Sequence, residues 1–444
     1  MPTSDRAAVS ASAAVSRAFS RRRFLGTASA VGMGVAGLSA CSDSGPAATD
    51  GKGRTVVEWW HIQTTEPAKT VWPERAKAFE AEHPTVRIKP VAMENDAYKA
   101  KMTALTSSGK LPDIFHTWGG GVLKQQIDAG LVEDITPSLQ PWADTLVPAA
   151  LKPYQFDAKT YAVPSDIGAV GFWYNKALFA EAGVKAPPAT WADYLDAVKK
   201  LKSAGITPIA LAGKEKWPGM YYWAYLAMRI TGVDGMRRAA DAKDFTGDDF
   251  VKAGEHLQEL VALQPFQKGF LGAAYNTPTG EAAAMGNGKA AMELMGQWAP
   301  VVQADAGKGI GKDLGFFPFP SVEAGKGAAT DVLGGGGGYA VRKGAPKEAM
   351  DFLKFFMTAA SDRILVSKGA MMPVVKEATS ALTDPNLTLV SDVLGKATGF
   401  QLYLDQAYPP AVGQEINDSV AALVAGSKTP EQVARSVTQV AKSQ

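Results

Sequence analysis

The chain has 444 residues, of which 46% are hydrophobic and 20% charged, a balance that supports a folded core and excludes a disordered chain. Its 46 basic and 44 acidic side chains become 41 and 43 once the five arginines and one aspartate of residues 1–40 are set aside, so no basic field remains to attract nucleic acid. The single cysteine, Cys41, excludes an internal disulfide and a cysteine-based zinc site, and four scattered histidines without an H-E-x-x-H pattern give no signature of a transition-metal centre.

The N-terminus reads as an export signal. Ser20-Arg21-Arg22-Arg23-Phe24-Leu25 carries a twin arginine followed by an apolar pair. An uncharged Gly- and Ala-rich run follows from Phe24 to Ala40, ending in Leu38-Ser39-Ala40-Cys41, the pattern of a bacterial lipobox. At 17 residues and rich in small side chains, the run is short for a membrane span, which needs about 20 strongly apolar residues. A cleaved signal over residues 1–40 fits better, with Cys41 acylated and residues 41–53, rich in Ser, Gly and Ala, as a flexible tether to the membrane.

The remaining length suggests about two to three domains. Thr55–Trp60 and Val86–Val91 read as strands, with a helix between them carrying Val71, Ala78 and Phe79. Asp113–Phe115 reads as a third strand, and Gly119–Gly130 as a helix closed by its last glycine. Ala169–Tyr174 is a strand candidate, Thr190 caps a helix ending at Gly205, and Thr207–Leu211 is a strand beginning after that helix. Five glycines occupy 334–338; Ala349–Met357 and the stretch from Pro430 on read as helices. Alternating strands and helices predict an α/β architecture with parallel strands.

Residues 161–211 carry a dense pattern: Pro164, Gly171, Tyr174-Asn175-Lys176, Phe179, Ala182-Gly183-Val184, Pro187-Pro188, Thr190-Trp191 and Pro208–Leu211. With FEAEHP near residue 80, LPDIF at 111, Gly296-Gln297-Trp298 and the GGGGYAV run near 335, the chain resembles the extracellular solute-binding proteins of ATP-binding-cassette (ABC) sugar importers, the family that includes maltose-binding proteins. The resemblance implies a two-lobed periplasmic-binding-protein-like fold with a hinge of two or three crossing segments. Lobe 1 would comprise 54–164 plus 334–380, and lobe 2 would comprise 165–333 plus 381–444. It also implies a monomer that catches a short oligosaccharide between the lobes, needs no cofactor or metal, performs no chemistry, and delivers its load to the ABC permease subunits in the membrane. The C-terminal stretch DQAYPPAVGQEINDSVAALVAG resembles the subgroup associated with xylobiose, while chitobiose, cellobiose and α-glucosides stay open.

A sugar offers an apolar C–H face and a rim of hydroxyls, so its site needs flat aromatics and polar or charged groups. Trp298, in a Gly-x-Trp segment, is the first candidate for stacking, a role the resemblance also implies. Trp118 follows a strand, where α/β clefts form, and Trp217 lies in a turn-rich Lys-Trp-Pro-Gly segment. For each of the three the alternative is a packing or surface tryptophan, weighed evenly for Trp118 and Trp217 and below the stacking role for Trp298. Trp59 and Trp60 point to opposite faces of one strand, so at most one reaches the cleft; the sequence does not say which, and Trp60 is the candidate. Asp166, at the first crossover, can accept from sugar hydroxyls or cap a turn. Gln401, Tyr403 and Asp405 share a face if their segment is extended. Gly336 and Gly337 allow close backbone approach or serve the hinge. Gln63 and Glu66 follow the first strand.

Two rival readings differ in kind. A secreted glycoside hydrolase would use Asp166 with Asp405 or Glu293 as a carboxylate pair. A bilobal ferric-iron binder would use Tyr221-Tyr222, although Tyr221–Ile230 reads better as a partly buried helix.

Overall fold

The computed structural model describes residues 48–444. The proposed signal, Cys41 and the start of the tether lie outside the described residues. Residues 48–53, assigned to the tether by composition, fold back on the first strand. Thr49 bridges Thr55, the Val56 N–H donates to the Ala48 carbonyl at 2.8 Å, and the Asp50 carboxylate pairs with Arg54 at 2.7 Å.

The strands in chain order are β1 (Thr55–His61), β2 (Val86–Ala92), β3 (Ile114–Thr117), β4 (Gln155–Phe156), β5 (Lys159–Thr160), β6 (Ala162–Pro164), β7 (Gly168–Ala169) and β8 (Gly171–Asn175). They continue with β9 (Met292–Met295), β10 (Leu314–Phe317), β11 (Val332–Gly335), β12 (Gly338–Val341) and β13 (Phe400–Leu402). A five-stranded sheet runs β2-β1-β3-β12-β6, with β2, β1 and β3 parallel and β12 antiparallel to both neighbours. Two three-stranded sheets, β10-β8-β9 and β13-β11-β7, build the other half, and β4-β5 is a small hairpin.

The two halves have separate cores. One is formed by residues from 57–163 and 339–378; the other by residues from 169–333 and 387–441 together with Met372. In the first, the helix Ala68–Glu82 buries Val71, Trp72, Ala76 and Phe79, the one-sided spacing of a surface helix. Its partners are Trp59 of β1 and the helix Glu348–Phe356, where Trp59 meets Phe352 and Phe356 edge-on at 4.8 and 5.1 Å. Strand alternation sends Trp60 to the other side of the sheet, onto a smaller cluster with Tyr98, Met102, Phe115 and Leu123. In the second half, the helix Trp217–Thr231 is buried along its whole length, so its apolar composition all round is what its position requires.

The chain passes between the halves three times, once between Ala378 of the first core and Leu387 of the second, and twice at adjacent places. Ser165–Ile167 joins β6 to β7, and Gly336–Gly337 joins β11 to β12. The N–H groups of Ser165 and Asp166 both donate to the Gly337 carbonyl, at 2.8 and 3.1 Å. A side chain at Gly336 would place its Cβ 1.9 Å from the Asp166 carbonyl oxygen, and one at Gly337 would place it 2.5 Å from His116 Cε1. The glycine run is therefore a packing requirement of the paired crossing.

Two sequence expectations change. Thr207–Leu211 is not a strand; Ile209 alone makes bridges, to Phe266 and Met292. Tyr403 and Asp405 are not on an extended face with Gln401, because β13 stops at Leu402 and a short helix, Leu404–Ala407, begins. Among the described residues no helix is long and apolar enough to cross a membrane.

Candidate functional site

A cleft of ≈ 1330 Å³, counting the solvent space at its mouth, lies between the two halves. Its floor is the paired crossing, through Asp166, Gly336 and Gly337; the first half contributes Gln63, Glu66, Lys99, His116 and Trp118, and the second Trp217, Tyr221, Gln297, Trp298, Tyr403 and Asp405. Ten of the twelve residues chosen from sequence thus line one space. Trp60 does not, since it faces the small cluster on its own sheet. Gln401 does not, since its Nε2 donates to the Leu402 carbonyl at 2.9 Å and its strand ends there.

The second-half wall is a run of aromatic rings. Trp217 to Tyr221, Tyr221 to Tyr403 and Tyr403 to Trp298 are separated by centroid distances of 5.6, 5.7 and 6.1 Å. Trp217 is the first residue of a buried helix with Pro218 behind it, not part of a loop as its Pro-Gly neighbours suggest. Trp298 precedes the helix Ala299–Ala306 and folds back over Gly296, where an added Cβ would lie 2.2 Å from its ring. That contact explains the glycine of the Gly-x-Trp segment. Opposite, Trp118 is partly exposed and meets His116 edge-on at 4.5 Å, with the Lys99 ammonium 5.1 Å from its ring centroid.

The polar groups are mostly held in place by the protein. Asp166 Oδ1 accepts from the Met372 and Ile167 N–H groups at 2.8 and 2.9 Å, and Oδ2 accepts from Gln297 Nε2 at 2.6 Å. Burial pushes its carboxyl up to about 7, against these three hydrogen bonds, which pull the other way. Asp405 pairs with Lys99 at 2.9 Å across the gap between the halves. Glu66 takes the Thr70 hydroxyl at 2.8 Å and the Thr70 N–H at 3.3 Å, so it secures the start of the helix Ala68–Glu82 as well as edging the cleft. His116 is 4% exposed with both ring nitrogens unpartnered, and burial, then His61 and Lys99, hold its pKa down to about 3. It is a neutral imidazole there. Gln297 Oε1 and the Tyr403 hydroxyl are likewise buried without partners.

Lys99, His116 and Gln297 are among the lining residues that sequence reasoning passed over, and Tyr221 was considered only as an iron ligand. Gln297 sits inside the quoted Gly-Gln-Trp segment and could have been read from it. Lys99 is one lysine of an ordinary amphipathic helix, and nothing in its spacing distinguishes it.

The geometry weighs against both rival readings. The carboxylates a hydrolase would use are committed: Asp166 to three donors, Asp405 to Lys99, and Glu293 to Gln303 Nε2 at 2.7 Å in the second core, away from the cleft lining. Tyr221 and Tyr222 are successive residues of a helix and diverge by about 100°. Tyr221 reaches the cleft while Tyr222 packs on Phe172. Among the described residues no three His, Cys, Asp or Glu side chains converge.

A family model for bacterial extracellular solute-binding proteins matches residues 63–362. The multiple sugar-binding protein of Streptococcus mutans is 27% identical over 350 residues, spanning 76% of this chain and 78% of that protein. A solved structure from work on xylan utilization by the thermophilic bacterium Caldanaerobius polysaccharolyticus superimposes with a TM-score of 0.80 at 30% identity, covering 86% of this chain and 99% of that one. A chitin oligosaccharide binding protein gives a TM-score of 0.80 at 24% identity, over 88% and 98% of the two chains, a likeness of fold.

Proposed function

Since this chain belongs to the bacterial extracellular solute-binding proteins, with the family match spanning residues 63–362, we propose that it is the sugar-capturing component of an ABC importer. It takes a short oligosaccharide into the cleft, closes its lobes (54–164 with 334–380, and 165–333 with 381–444) on it, and presents the closed form to the membrane permease. The observation that carries this reading is the run of rings from Trp217 through Tyr221 and Tyr403 to Trp298, facing Trp118 and Lys99 across one cleft. Flat apolar faces beside fixed polar groups suit a pyranose, whose C–H face stacks while its hydroxyls find acceptors.

The role requires no bond to be broken. Ligand contacts made from both walls favour the closed state over the open one, and that difference in affinity is what shifts the population. Asp166 holds the crossings together and keeps lone-pair capacity for a sugar hydroxyl. Among sugars, a β-linked disaccharide or trisaccharide of the xylobiose type is favoured, supported by the C-terminal sequence and by the xylan-related structural relative. The lipobox cysteine, Cys41, would anchor the chain to the outer face of the cytoplasmic membrane, with Ser42 onward as spacer. The protein works as a monomer.

A melting-temperature screen against xylo-, cello-, chito- and malto-oligosaccharides tests this. A ligand that binds the folded state selectively must raise stability, so one series should raise the melting temperature, and Trp298→Ala should abolish the shift while leaving the unliganded melting point within a few degrees. A shift that survives Trp298→Ala undiminished would move the binding site elsewhere.

A further inference from the structure

Beyond the Lys99–Asp405 ion pair the gap between the halves continues into a second chamber of ≈ 1170 Å³, again counting its open mouth. Its first-half wall is made by the helices Asn95–Ser108 and Gly120–Asp128, and its second-half wall by the helix Pro410–Val424. Lys99, His116, Trp118, Trp217, Asp405 and Gln406 border both chambers, so the ion pair is a divider within one groove and not its end.

The character of the lining changes past the divider. Beside the rings of Tyr98, Trp118 and Trp217 and the carboxylates of Asp96 and Glu215, the wall adds hydroxyls and amides: Thr103, Thr106, Gln125, Gln126, Gln414 and Asn417. Two of these carry a specific deficit. Gln126 and Asn417 are 4% and 6% exposed, and Gln126 Oε1 and Asn417 Oδ1 have no hydrogen-bond partner. The Gln126 amide is already oriented, its Nε2 donating to Thr106 Oγ1 at 3.1 Å, which leaves the oxygen as the free end. Buried amide oxygens are ordinarily satisfied, and leaving one unpaired is costly. Each faces the same need, a donor supplied from the chamber, and they come from opposite walls. His116 adds two further unpartnered ring nitrogens where the chambers meet.

We propose that the second chamber is a further sugar subsite, so that the preferred ligand is an oligosaccharide of three or more units running from the aromatic wall past Lys99–Asp405 to Gln126 and Asn417. Trp118 and Trp217, which border both spaces, serve adjoining sugar units. This deepens the sugar-capture reading above and rests on it. Hydroxyl groups of the terminal unit donate to the two amide oxygens, and the bound chain ties the helix Gly120–Asp128 of one half to the helix Pro410–Val424 of the other.

Calorimetric titration of the full chain with xylo-, cello- and chito-oligosaccharides of two to five units tests the proposal, beside the variants Thr103→Trp and Gln414→Trp. Both positions are exposed on helix surfaces and border the second chamber only, so both variants should fold. In the series that binds, the three- and four-unit sugars should bind about tenfold or more tighter than the two-unit sugar. Each variant should erase that gain and leave two-unit binding within about threefold. Saturable two-unit binding with no gain from further units, or a gain that both variants leave intact, overturns the second subsite while the receptor reading stands. Binding of no sugar at any length overturns both.

Discussion

Asp166 joins two roles at the level of the single residue. Its carboxylate gathers the Ile167 N–H, the Met372 N–H and the Gln297 amide, so it fastens the crossing at 165–167 to two other stretches of chain while bordering the cleft. The sequence shows an aspartate at a strand-to-strand crossover, which is enough to choose it. It does not show that a backbone N–H more than two hundred residues away arrives at the same oxygen, since that pairing depends on tertiary folding. Because burial raises this carboxyl to about 7 in the folded protein, against about 3.9 in an unfolded chain, the unfolded state binds fewer protons between these values. Asp166 alone therefore lowers stability as pH rises from about 4 to about 7. Asp166→Asn removes this contribution, so the stability of the variant relative to the parent should rise over that interval. Denaturant midpoints for both proteins at several pH values check this; a difference constant with pH would show that Asp166 does not titrate there. His116 acts with the opposite sign, its pKa held near 3 below an unfolded value near 6.5, so it favours the folded state above pH 6.5 and loses that contribution as pH falls toward 3.

At the level of elements, the helix Trp217–Thr231 governs the second half. Arg229, 1% exposed, donates to the carbonyls of Phe319, Pro320, Ala329 and Asp331 and lies over the Tyr225 ring at 5.1 Å. It thereby fixes the 319–331 loop that leads into β11 and the crossing glycines. Arg229→Met keeps the bulk but leaves those carbonyls without a donor, and should cost about 3 kcal/mol or more. Urea unfolding measures it, and a loss below about 1 kcal/mol would show that the loop satisfies itself with water. The helices were the most legible elements. Thr190 caps the helix Trp191–Ser203 by accepting from the Asp193 N–H at 3.1 Å, and Thr429 with Gln432 forms a capping box before Pro430–Ser443. These are local signals, and local signals survive without tertiary context. Short extended pieces did not read as well. Thr207–Leu211 has a strand's composition, yet only Ile209 forms bridges, and the segment after Leu402 turns helical before it can present alternate side chains. Strand identity depends on what lies alongside, which composition does not carry.

For the whole molecule, the alternation of strands and helices indicated an α/β chain, and two lobes were what the family resemblance carried by residues 161–211 implied. The aromatic candidates near strand ends and in the Gly-x-Trp segment came together because such positions fall at the rim of the sheets, where the cleft opens. What escaped the sequence is the other half of each contact: Lys99 opposite Asp405, His116 beneath Trp118, and the amides of the second chamber. Lys99, Gln126 and Asn417 are unremarkable helix residues and His116 sits on β3, and each gains its role only when the two halves face one another. The account turns on one claim, that this groove binds a sugar. Calorimetric titration of the protein with the oligosaccharide that most raises its melting temperature tests it most directly. The account predicts saturable one-to-one binding with a dissociation constant in the micromolar range or below, roughly −8 to −10 kcal/mol. Absence of saturable binding below millimolar sugar would contradict it.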